Sequence, residues 1–137
     1  MVDNEYCFYS FYSEGPKGLI EKAAIYTKMQ EGLYNLAFGD WNADIQSLDD
    51  SVRTNNGDRD KVLATVAFTA LDFTNQYPNT LLSIEGSTPA RTRLYQMGIG
   101  NNLSEINKNF EIRGLRLQKW EPFMQGINYD AFLAQRK

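Results

Sequence analysis

Between Val62 and Phe73 nine of twelve residues are apolar, and this run limits the fold more than any other stretch of the chain. The exceptions, Thr65, Thr69 and Asp72, stand at i, i+4 and i+7, which makes one narrow polar stripe on a helix. A helix wetted only along such a line has to be covered over most of its circumference, either between a sheet and other elements or at a subunit contact. Its bounds are marked as well. Asn56-Gly57-Asp58 reads as a turn and cap, Asp60 falls in the first turn, and Pro78 stops the run. The pattern predicts a helix over residues 58–77.

Strands are expected on either side. "EYCFYSFYSEGPKGLIEKAAIYTKM" reads as two strands around a turn punctuated by Gly15-Pro16 and Gly18. In the first, Tyr6, Phe8, Ser10 and Tyr12 share one face and Cys7, Tyr9 and Phe11 the other, a pattern that points to burial on both sides. A third strand is expected over Leu33 to Phe38, and "DIQSLDDSVR" is a weaker fourth, interrupted by Asp49-Asp50. The short connections imply an antiparallel meander. Further on, "NTLLSIEG" is a strand with Leu82 and Ile84 on one face. In "GSTPARTRLYQMGIG" Thr88 (or Ser87) caps a helix, Pro89 takes its first position and Gly98 suits its end. "NLSEINKNF" is a second short helix, with Asn102 and Glu105 at capping-box spacing and Leu103, Ile106 and Phe110 on one side. In "FEIRGLRL", Phe110 and Ile112 point inward, and Gly114 marks a bulge beyond which Leu115 and Leu117 take over. "NYDAFLAQRK" closes as a short helix or a terminal strand. The sum is one α+β domain over residues 1–137: an N-terminal antiparallel β-meander, a long buried helix packed on the sheet, then a β-α-α-β segment.

Composition excludes more than it specifies. The chain has no histidine and one cysteine, Cys7. Ser-His-Asp and Cys-His nucleophiles, histidine metal sites and a zinc tetrahedron are therefore not available to it. The first residues, "MVDNEYCFYS", lack the features of a secretory leader, and no run of about 18 apolar residues is present to span a membrane. With a lone cysteine this fits a reducing compartment, the cytoplasm. The net charge of −3 divides unevenly. Residues 1–85 hold 6 basic against 13 acidic side chains, and residues 86–137 hold 8 against 4. Overall acidity argues against duplex DNA, whereas the basic C-terminal third can meet an anionic ligand or an acidic partner.

Two stretches are candidates for ligand binding. Gly57, Arg59 and Lys61 sit at a helix start, where free N–H groups attract phosphate, although Asp58 and Asp60 occupy the same turn and favour capping. Arg91 and Arg93 open the next helix, where they can fork a carboxylate or phosphate or simply stand in solvent beside a good cap. Asp40, Asp44, Asp49 and Asp50 match no cation-binding loop and read as an acidic edge that resists aggregation. The aromatic first strand can stack single-stranded bases, yet it lies in the acidic half and fits a core or a subunit contact better. So much apolar surface on a small domain points to a homodimer.

Taken in order, "YNLAFGD", "NNGDRDKVLATVA", "GSTPARTRLYQ" and "NYDAFL" resemble a family of small bacterial proteins of unknown function. Residues 53–117 are also similar to the acyl-CoA-binding half of the N-acetyltransferase superfamily. That second resemblance implies acetyl-CoA as cofactor, Gly57 in the pyrophosphate turn and Tyr95 as general acid. The expectation is a non-catalytic binding or interaction module that self-associates and needs no cofactor. An acyltransferase-like enzyme is the alternative, and single-stranded nucleic-acid binding the third reading.

Overall fold

The computed structural model describes residues 6–49, 59–86 and 88–137. Three long strands come first: β1 (Tyr6–Gly15), β2 (Gly18–Gln30) and β3 (Leu33–Asn42). β1 and β2 pair antiparallel without interruption from Tyr6↔Thr27 to Gly15↔Gly18. β2 turns into β3 through Gly32, whose φ of +80° is one that glycine adopts freely. β4 (Ser47–Asp49) folds back on the end of β3. Helix α1 (Arg59–Gln76) then carries the chain to β5 (Leu81–Ile84), which lies parallel to β3. Next come α2 (Pro89–Asn101), α3 (Leu103–Ile106), β6 (Phe110–Arg116), β7 (Lys119–Pro122) and β8 (Ala131–Arg136). The last strand inserts between β5 and β6, so the order is β1-β2-β3-β5-β8-β6-β7 with β4 beside β3. The result is a mixed α/β fold dominated by one large, mostly antiparallel sheet, the class the sequence implied.

Alternation along each strand sorts the sheet into two faces. Tyr9, Tyr26, Leu36, Leu82, Ile112 and Phe132 belong to the face that meets the helices. There Phe73 of α1 stacks on Tyr26 with ring centroids 4.4 Å apart and meets Tyr34 edge-on at 4.9 Å. Arg136, on β8, reaches the far end of α1 and donates to Thr74 Oγ1 and Asn75 Oδ1 at 2.9 and 2.8 Å. A guanidinium at that end also complements the helix dipole.

Two of the three residues of the polar stripe of α1 turn to the sheet rather than to water, contrary to expectation, whereas Thr65 donates to Lys61 O of its own helix at 2.9 Å and borders an open cleft. Thr69 is buried and shares a 2.7 Å hydrogen bond with the Tyr26 hydroxyl, while Asp72 accepts one of 2.7 Å from Tyr9. Hydroxyls standing up from the sheet satisfy Thr69 and Asp72, so these two can turn inward. The exposed side of the helix therefore carries Lys61, Ala64 and Phe68, the last 70% exposed. Nor is β1 buried on both sides. Tyr6 and Tyr12 are 67% and 64% exposed, because the helices cover only the opposite face of the sheet.

Three local expectations are also revised, and one strand was not expected. Gly98 lies inside α2 rather than at its end, and it marks where α2 approaches α1, since a Cβ there would stand 2.5 Å from Leu63 Cδ1. The Asn102 side chain donates to Gly98 O at 2.9 Å, closing the end of α2 instead of capping α3. Gly114 is not a bulge. Phe110, Ile112 and Gly114 keep one face in unbroken register, and Leu117 is 83% exposed in a turn. Finally, β7 carries no strand pattern in its Lys-Trp-Glu-Pro sequence, and it forms because Leu117 and Gln118 both take positive φ, 53° and 64°, in a tight turn. The helix expected over residues 58–77 is described over Arg59–Gln76, and its proposed cap, Asn56 to Asp58, lies outside the described residues.

Candidate functional site

At the carboxyl end of β5 the chain enters α2 through a tightly held turn. Thr88 is the N-cap, its hydroxyl accepting from Arg91 N at 3.1 Å, and Pro89 follows as the first helical residue. The Thr92 hydroxyl donates to Thr88 O at 3.1 Å and accepts from Gly86 N at 3.0 Å. Gly86 is needed there, because a Cβ would stand 2.4 Å from Thr92 N. From the other side the segment before β8 is pinned to α2. Gln96 donates to Ile127 O and accepts from Tyr129 N at 2.9 Å, and its side chain is buried.

These elements border an open cleft of about 210 Å³, lined by Glu85, Thr88, Thr92, Arg93 and Asp130 together with Pro89 and Tyr129. One guanidinium thus shares the cleft with two carboxylates, a set suited to a small molecule carrying both charges rather than to a phosphate. Arg91 does not border it. Two residues apart on a helix, Arg91 and Arg93 point about 200° apart, so they cannot fork one ligand between them. Arg91 is half-buried and Arg93 exposed. Glu85 and Asp130 were not singled out in the sequence, since only the insertion of β8 brings residue 130 beside residue 85.

The other candidate stretch lies elsewhere. Gly57 falls outside the described residues, and Arg59 is described only as the first residue of α1. Lys61 is exposed and borders a second cleft with Phe11, Tyr12, Glu14, Val62 and Thr65. The two clefts share no residue. Tyr95 belongs to neither; it is buried, its ring stacks on Phe38 at 4.5 Å and its hydroxyl donates to Phe38 O at 3.0 Å. Beneath it, α1, α2 and the sheet leave a cavity of about 70 Å³ bordered only by apolar residues such as Leu63, Val66, Ile84 and Ile99. Burial pushes the hydroxyl pKa values of Tyr9, Tyr26 and Tyr129 up, and the hydrogen bond to Asp72 adds to the effect at Tyr9. Among the described residues no cluster of three cysteine, aspartate or glutamate side chains is placed to hold a metal ion. No helix among them is long and apolar enough to cross a membrane.

A family of unknown function (DUF6934) has a model that matches residues 1–137, and the chain belongs to that family. No curated protein and no solved structure matches it.

Proposed function

We propose that this member of a family of unknown function is a non-catalytic interaction module that associates with a second copy of itself. The observation that carries this reading is the face of the sheet that no helix covers among the described residues. The helices pack against Tyr26, Leu36 and Ile84 on one face. On the other, Tyr6, Phe8, Tyr12 and Met29 are exposed, and Trp41 meets Phe8 edge-on with centroids 4.8 Å apart. A contact across a twofold axis brings a patch onto its own copy, so a charged patch meets like charge. Tyr6, Phe8, Ser10 and Tyr12 carry none, and the nearest charges on this face, Glu14 and Glu21, stand at its one end. The absence of histidine and the engagement of Tyr9, Tyr26, Tyr95 and Tyr129 within the fold favour binding over catalysis. The cytoplasm, a reducing compartment, suits a chain whose one cysteine is Cys7.

Light scattering tests the reading directly. A mass of about twice the 15.7 kDa chain at micromolar concentration is expected. A single-chain mass throughout that range overturns it.

A further inference from the structure

α1, α2 and the sheet do not close completely on one another. The cavity of about 70 Å³ between them has its floor on four adjacent strands, with Phe38 of β3, Leu82 of β5, Ala134 of β8 and Ile112 of β6. At the usual spacing of strands that floor is about 14 Å from end to end. Leu63 and Ala67 of α1 and Ile106 of α3 border the cavity from above and are half-exposed, so they mark where it comes nearest to solvent. All of its bordering residues are among those described. The one side-chain hydroxyl among them, that of Tyr95, is turned to Phe38 O at 3.0 Å. A buried water needs about two to four polar partners, so a space walled in this way stays dry.

We infer that this cavity is a binding site for a short, unbranched aliphatic chain. The inference is independent of self-association, which concerns the other face of the sheet. Size and shape select the guest. At about 70 Å³ the space is less than half the roughly 150 Å³ of an engineered apolar cavity that admits benzene, so an aromatic ring is too large for it. Its floor crosses four strands, and an extended chain can follow that line where a compact branched molecule cannot. The driving force lies in the walls. Atoms around an empty space lack partners on one side, and a guest restores those dispersion contacts without displacing bound water. Nor can the walls readily fall in. Tyr95 is fixed by its hydroxyl bond and by its stack on Phe38 at 4.5 Å. α1 and α2 already touch where Gly98 meets Leu63, since a Cβ at Gly98 would stand 2.5 Å from Leu63 Cδ1, and this contact leaves the helices no room to close further.

The probes that test it are n-butanol and its compact isomer tert-butanol, read by the methyl NMR shifts of Leu63, Val66, Ile84 and Ile99, which border the cavity. We expect shifts that saturate with n-butanol and stay confined to the cavity, and binding of tert-butanol weaker by about tenfold or more. Ala67→Leu puts a larger side chain into the border and should abolish the n-butanol response, whereas Ala64→Leu, on the exposed side of the same helix, should retain it. Leucine suits a helix at both positions, and circular dichroism checks the fold. Shifts that do not saturate, equal affinity for the two isomers, or an n-butanol response that survives Ala67→Leu overturns the inference. The comparison of isomers uses the unmodified protein, so it decides the matter even if Ala67→Leu fails to fold. None of these outcomes bears on self-association, which light scattering reads separately.

Discussion

Gly114 shows how much a single residue can depend on a partner distant in sequence. The Tyr129 ring lies flat against it, and a Cβ there would stand 2.3 Å from the ring's Cδ1. The ring cannot step aside, because its hydroxyl is held by Met124 N and Glu121, each at 3.1 Å. Gly114→Ala is therefore expected to cost about 1–3 kcal/mol, the usual range for overpacking a filled site. A denaturant melt that shows no loss would contradict this account of the position. Thr88 offers a local counterpart. A cap at Thr88 or Ser87 was legible from "STPAR"; Thr88 takes the role by accepting from Arg91 N, and Thr88→Ala should cost about 1 kcal/mol in the same measurement. The helix cap follows from neighbours in sequence, whereas the glycine's role follows from residue 129.

Among the elements, α1 gives the sharpest contrast. Phe73 is fully buried between Tyr26 and Tyr34, whereas Phe68 stands in solvent on the other side of the same helix. Phe73→Ala should lose roughly 3–5 kcal/mol, and Phe68→Ala should stay within about 0.5 kcal/mol in the monomer. Equal losses would mean that the helix is rotated from the orientation described. The β6–β7 turn is open to improvement. Both of its central residues, Leu117 and Gln118, hold the left-handed conformation that Asn-Gly adopts at least cost. Replacing the pair, Leu117→Asn with Gln118→Gly, is expected to raise stability by about 1 kcal/mol, and a lower unfolding midpoint would refute it.

At the scale of the whole molecule the buried tyrosines couple stability to alkaline pH. Tyr9, Tyr26 and Tyr129 keep their protons in the fold to higher pH than in the unfolded chain, where they titrate near the ordinary value of 10.0. The folded state thus binds more protons above that pH, so the stabilisation is complete below about 10 and declines as pH rises beyond it. An ultraviolet tyrosinate titration should show these three ionising together with unfolding, and ionisation of all eight tyrosines near pH 10 with the fold intact would exclude it. The fold class, the strands β1 to β3, a helix close to the bounds of α1, a cap at Thr88 or its neighbour and the inward pairing of Leu82 with Ile84 were written in periodicity and turn chemistry, which act over a few neighbouring residues. What those signals cannot hold is which distant element arrives opposite. The amphipathic pattern of α1 marked Thr69 and Asp72 as a wet stripe, and only the tyrosines of β1 and β2 turned it inward. The sequence marked Arg93 as a candidate, and only the insertion of β8 beside β5 gave it Glu85 and Asp130 for company. Local backbone preference sets which elements form; burial and hydrogen bonding between strands far apart in the chain set which faces meet.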